Sequence, residues 1–159
     1  GGVLMKRLVF ICSGNTCRSP MAKGLLIKHL EERNPELRDK IEVVTAGTYP
    51  HPGDTASPGA REAMEEVGID ISNHRAQPVT EEMLAAADLI LTMTRAHRDY
   101  LTRIYGEDNR IHSLYEFLGQ DGDVLDPYGG DSDTYRACRD ELRQLMEMLV
   151  EKLENELLY

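Results

Sequence analysis

No apolar run in this sequence approaches the roughly eighteen residues that a membrane span needs. No secretory signal pattern opens it. Positive charge is also short: 18 lysines and arginines face 28 aspartates and glutamates, a formal net charge of −10. That balance excludes nucleic acid and an anionic membrane surface as partners. A phosphate site here must work by local field within an acidic whole. Cysteine is scarce, with 3 in 159 residues. No second Cys/His pair stands at ligand spacing from Cys12 and Cys17, so no metal site is read. Three cysteines, one of which must stay reduced, fit a reducing, cytoplasmic compartment. Gly-Lys-Ser/Thr is absent, which excludes a nucleotide P-loop. Internal repeats, linkers and low-complexity tracts are missing too. The chain therefore reads as one domain over residues 1–159, long enough for a three-layer core. Gly1-Gly2 reads as a cloning remnant, with the native start near Val3 or Met5.

What is present centres on Cys12-Ser13-Gly14-Asn15-Thr16-Cys17-Arg18-Ser19-Pro20. The apolar run Leu8 to Ile11 precedes it and reads as a buried parallel strand. A helix-like segment, Met21 to Glu32, follows. Strand, tight loop and helix start place consecutive backbone N–H groups about one point, and the helix N-terminus adds partial positive charge. An oxyanion with several oxygens fits such a cup. Cys12 lies at its floor, and Arg18 of the Cys-x5-Arg pattern returns to its rim with a planar, two-pronged donor set. Beside that guanidinium and unpaired amides, Cys12 is expected to have a depressed pKa and to stand as thiolate. A thiolate there attacks phosphorus and forms a covalent phosphocysteine. Gly14 frees the backbone, and Asn15 bonds the loop to itself. Ser19 donates to the thiolate and helps it leave, and Pro20 suits a first helical turn.

Elsewhere, strands are expected over Ile41 to Thr45, Asp88 to Met93 and, more weakly, Arg110 to Leu114. Helices are expected from Ser57-Pro58 to Val67, from Thr80, from Arg95 to Tyr105, and from Asp133 to Leu158. Asn34-Pro35 ends the first helix; His51 to Gly59 and Gln120 to Asp133 read as loops. Alternation of this kind implies right-handed crossovers and an α/β fold: a three-layer, four-stranded parallel sheet in the order 2-1-3-4, with helices on both faces. Cys12 then ends strand 1, where the strand order reverses and ligands bind.

The Cys12–Pro20 loop, with Asp126-Pro127-Tyr128 far downstream, resembles the low-molecular-weight protein tyrosine phosphatases over nearly the whole chain. The similarity is greatest to the bacterial protein arginine phosphatases, which carry threonine where Thr16 stands; the tyrosine phosphatases usually carry isoleucine or leucine. On spacing alone Asp126-Pro127 reads as a turn initiator. The resemblance makes Asp126 the acid that protonates the leaving group and the base that then activates water. It implies that Ser13 to Cys17 and Ser19 bind phosphate, that Tyr128 walls the substrate slot, and that Thr45 and His74 hold Asn15. It implies a metal-free, cofactor-free monomer acting on phosphorylated proteins. Gly129 departs from the second aromatic common in tyrosine phosphatases, and leaves a more open wall.

Phosphoarginine is the expected substrate, phosphotyrosine the alternative. Thr16 carries that preference, since its hydroxyl suits a flat, polar guanidinium or a water better than an aromatic ring. Arsenate reductase shares the loop but needs two relay cysteines, which this chain lacks. A phospho-binding adaptor would lack the nucleophile or the acid. Cys17 reads equally as a trap for oxidised Cys12 and as a buried filler. Cys138 reads as structural, Asp123 as a solvated loop charge, and His51, His97 and His112 as partnerless surface groups. Asp140, Glu141, Glu147, Glu151 and Glu154 read as a solvated acidic face of the last helix.

Overall fold

Short β-branched and aliphatic runs form the sheet of the computed structural model, which describes residues 6–157. Gly1-Gly2, the start near Val3 or Met5, and Leu158 lie outside those residues. The strands are β1 (Lys6–Cys12), β2 (Ile41–Gly47), β3 (Leu89–Thr92) and β4 (Ile111–Ser113). They pair in the order β2-β1-β3-β4, and each pairing is parallel. The helices are α1 (Arg18–Arg33), α2 (Pro35–Arg38), α3 (Pro58–Glu65), α4 (Glu81–Ala86), α5 (Arg95–Tyr105), α6 (Leu114–Phe117) and α7 (Ser132–Leu157).

Alternation along β1 sends its residues into two separate cores. Leu8, Phe10 and Cys12 face a large cluster with Met21, Leu26 and Leu30 of α1, Met64 of α3, and Leu142, Met146 and Leu149 of α7. Val9 and Ile11 face a smaller one with Leu84 of α4 and Leu101 of α5. Three layers result, as the alternation of segments requires, and Cys12 lies on the α1 side of the sheet.

Four local features differ from the sequence reading. Helix α1 begins at Arg18 rather than Met21, with Cys17 at its N-cap position. Pro20 sits in that first turn, where its missing N–H leaves no hydrogen bond unmade. The helix therefore starts inside the phosphate-sized loop. Asn34-Pro35 ends α1 as expected but also opens α2, because Asn34 Oδ1 accepts the Leu37 N–H at 3.1 Å. Ser113 caps α6 in the same way, accepting the Glu116 N–H at 3.3 Å. The acidic face of α7 is also less solvated than expected: Tyr115 donates its hydroxyl to Glu141, and Arg33 pairs with Glu154 at 2.9 Å.

Leu26 is fully buried between the sheet and α7. Leu26→Ala is expected to lower stability by about 2–5 kcal/mol, measured by urea denaturation.

Candidate active site

The loop after β1 turns inside out. Cys12 O accepts the Thr48 N–H, Ser13 O the Tyr49 N–H and Thr16 O the Ser57 N–H, each at 2.9 Å. With these carbonyls bonded outward, none of the N–H groups of residues 13–17 has a backbone acceptor among the described residues. They are left for the interior, where the α1 N-terminus adds its partial charge. The bend requires Asn15 at φ +59°, the one positive φ outside glycine among the described residues. That conformation is costly for a residue with a Cβ, and the surroundings fix it. Asn15 Nδ2 donates to Ser19 Oγ at 2.8 Å and to Thr45 Oγ1 at 2.9 Å. Its Oδ1 accepts the Gln77 N–H at 2.9 Å, and its carbonyl oxygen meets His74 Nε2. The approach of β2 is so close that a Cβ at Gly47 would lie 2.4 Å from Ser13 O.

Cys12 is 2% exposed and lies at the floor of the cup. Burial pushes its thiol up, and this is the largest influence on it. The Ser19 hydroxyl, the Arg18 guanidinium and the backbone N–H groups of Ser19 and Asn15 pull it down. The depressed pKa expected from sequence is thus corrected: neighbouring donors were legible, burial was not. Any thiolate depends on those donors. Asn15 supplies the hydrogen to Ser19 Oγ, so the serine's own hydrogen is free for Cys12 Sγ, 2.9 Å away.

Arg18 is 4% exposed. Its Nη1 donates to Val124 O at 2.8 Å, and its Nη2 lies 3.4 Å from Ser13 Oγ and 3.7 Å from Asp126 Oδ2. Asp126 reaches the same cleft from the loop between α6 and α7. Its Oδ1 accepts the Tyr128 N–H at 3.1 Å, while Oδ2 turns to Arg18. Asp123 is not a free loop charge, since its Oδ1 accepts the Arg95 N–H at 2.8 Å and ties the loop to α5. The cleft measures about 290 Å³ and is lined by Cys12, Gly14, Asn15, Thr16, Cys17, Arg18, His51, Asp54, Asp126 and Tyr128. Ser13 and Ser19 are not part of this lining; their hydroxyls meet Arg18 and Cys12 respectively. Cys17 Sγ meets Ser57 Oγ at 3.0 Å and Tyr135 OH at 3.6 Å. Cys138 is buried, its thiol pushed up to about 12 chiefly by burial. A wider groove of about 450 Å³ along α1 holds no cysteine.

His97 overturns its reading as a partnerless surface group. It is buried, with Nε2 2.8 Å from Ser13 Oγ and Nδ1 3.0 Å from Thr94 Oγ1. Thr94 caps α5 by accepting the His97 N–H at 3.1 Å, which frees the threonine hydrogen for Nδ1. The ring proton then sits on Nε2 and is donated to Ser13, which also faces Arg18. Burial, then the charge of Arg18, holds the imidazole pKa down to about 4, against Asp126 and Asp123. His97 is thus a neutral strut beneath the guanidinium. The available signal was Thr94 capping a helix directly after β3, the neighbour of β1. His51 is exposed, as expected, yet borders the cleft, and so does Asp54.

Ser19→Ala removes the side-chain donor to Cys12. The alkylation rate of the thiol is expected to rise at higher pH than in the wild type, followed with iodoacetamide. Between pH 6.5 and about 4 the unfolded chain binds a proton at His97 that the folded chain refuses, so stability falls as pH falls through that window. His97→Asn is expected to flatten this part of a urea-midpoint curve.

Comparison with known proteins places this geometry. The family model for low molecular weight phosphotyrosine protein phosphatase matches residues 7–158. A protein-arginine-phosphatase of Bacillus subtilis is 40% identical over 151 residues, covering 94% of this chain and 97% of the relative. The crystal structure of a low molecular weight protein tyrosine phosphatase from T. tengcongensis superposes with a TM-score of 0.86 at 41% identity, covering 93% of this chain and 99% of the other. A structure of the YwlE arginine phosphatase, in a variant with a phosphorylated active-site serine for cysteine, gives 0.85 at 39%, covering 93% and 95%. By a match that runs from the first strand to the last helix, the chain belongs to the low-molecular-weight phosphotyrosine protein phosphatase family.

Proposed function

We propose that this phosphatase hydrolyses phosphoarginine in proteins in preference to phosphotyrosine, through a phosphocysteine intermediate. The observation that carries the preference is Thr16 in the lining of the cleft, where a hydroxyl replaces the branched aliphatic that would pack on a ring. Gly129, which follows the lining residue Tyr128, supports it, because it places no second aromatic side chain beside that ring.

In this reading Cys12 attacks phosphorus while the phosphorus–nitrogen bond breaks. The amides from Ser13 to Arg18 and the Arg18 guanidinium receive the equatorial oxygens. Asp126, protonated, gives its proton to the departing guanidine nitrogen. As carboxylate it then takes a proton from water, whose oxygen attacks the phosphocysteine. The sulfur leaves with the Ser19 hydrogen directed at it, and phosphate departs. Asn15, Thr45 and His74 hold the loop in place throughout. Tyr128, 74% exposed at the cleft edge, is free to lie along a guanidinium plane. The same ring would also wall a phosphotyrosine slot, which is the second reading. An arsenate-reductase relay needs two further cysteines in reach, and beyond Cys17 only the buried Cys138 remains.

The protein is proposed to act as a monomer in the reducing cytoplasm of a bacterium, on phosphorylated proteins, with no nucleic-acid or membrane partner. No helix among the described residues is long and apolar enough to cross a membrane.

The test compares kcat/KM on phosphoarginine and phosphotyrosine peptides of equal sequence. Phosphoarginine is expected to be the better substrate. Thr16→Ile should move the preference toward phosphotyrosine; an unchanged ratio would remove Thr16 as its source. Cys12→Ser is expected to abolish turnover. Asp126→Asn should lower kcat about 10²–10⁴-fold, less on a substrate whose leaving group needs no proton.

A further inference from the structure

Asp54 borders the cleft, and the reading above assigns it nothing. It stands on the loop between β2 and α3, and its carboxylate has no hydrogen-bond or ion-pair partner among the described residues. The backbone that carries it is fixed on both sides. Its N–H donates to His51 O at 3.1 Å, its carbonyl accepts the Ala76 N–H at 2.7 Å, and the Gly53 N–H reaches Ala76 O at 2.8 Å. An unpaired anion on an anchored turn is thus held at the mouth of a phosphate cup. Asp126 comes to the same cleft on the loop that follows β4 and α6, so the two carboxylates arrive from opposite sides of β1. No lysine lines the cleft, and its one arginine is buried at the floor.

For a phosphate ester of a neutral phenol this is an unfavourable arrangement. With Asp126 protonated as the acid, the dianion must still pass the Asp54 carboxylate, and nothing in the leaving group compensates. Phosphoarginine differs, because its positive guanidinium follows the phosphoryl group directly, with N–H donors in a plane that matches a carboxylate. We propose that Asp54 is a specificity residue of this enzyme: it accepts hydrogen bonds from the guanidinium of phosphoarginine at the cleft mouth and disfavours phosphotyrosine by repulsion. This rests on the phosphoarginine reading and adds a second source of discrimination, outside the loop of Thr16.

The experiment measures kcat/KM of the wild type, Asp54→Asn and Asp54→Glu on matched phosphoarginine and phosphotyrosine peptides. In Asp54→Asn the ratio of phosphoarginine to phosphotyrosine efficiency is expected to fall about fivefold, as for an exposed ion pair. The loss should lie in KM for phosphoarginine, with phosphotyrosine turnover rising. Asp54→Glu should restore part of the ratio. The difference between wild type and Asp54→Asn should shrink as salt rises from about 0.05 M to about 0.5 M, by screening. A proportional loss on both substrates, or an unmoved ratio, overturns the role of Asp54 while leaving a wild-type phosphoarginine preference intact. A wild type that does not turn over phosphoarginine overturns the substrate reading itself.

Discussion

A ring of amides can face inward only if its carbonyls are bonded elsewhere. Here that requirement falls on a few contacts from distant segments. Thr48, Tyr49 and Ser57 take the outward carbonyls, and Thr45, His74 and Gln77 hold Asn15 in a left-handed conformation that few residues with a Cβ adopt. All six lie on β2 or on the loops that follow it. The anion cup is therefore a product of β1 and β2 together, and the missing Cβ of Gly47 is what lets the two come close enough.

Two chains of hydrogen bonds behind the cup have their hydrogens assigned by neighbours. Asn15 donates to Ser19, which turns the serine toward Cys12. Thr94 turns His97 toward Ser13, and Ser13 meets Arg18. Val124 O receives the other prong of the arginine, and the same residue leads into the Asp126 loop. The guanidinium is thus fixed in place, with little reorganisation left for the reaction we propose. An acidic protein can hold phosphate this way because the field that matters is set within a few ångströms by aligned donors.

Contiguity decided what could be read in advance. The residues from Cys12 to Pro20 carry their chemistry in an unbroken row, and the alternation of strands and helices fixes the sheet order. The start of α1 was set at Met21, where the amphipathic pattern begins, whereas Arg18 to Pro20 already form its first turn. His97 and Asp123 were misread because their partners, Ser13 and Arg95, are far away in the chain and meet them only once the sheet forms. Asp54 was passed over in a proline-rich loop, because nothing local distinguishes a charge that borders a cleft from one in open water. The burial of Cys12 was hidden for the related reason that residues of α3 and α7, distant in sequence, share the cluster on its side of the sheet.

Gly47 also meets the segment beyond His74. Its N–H donates to Gln77 O, its carbonyl accepts the Val79 N–H, and Gln77 Nε2 donates to Thr45 O. β2 is an outermost strand of the sheet. Its end nearest the cup has therefore already spent its free main-chain groups on this short cover. That end cannot template β-pairing with another molecule, and a substitution that lifted residues 77–79 would expose a self-association edge and slacken the grip on Asn15 at once.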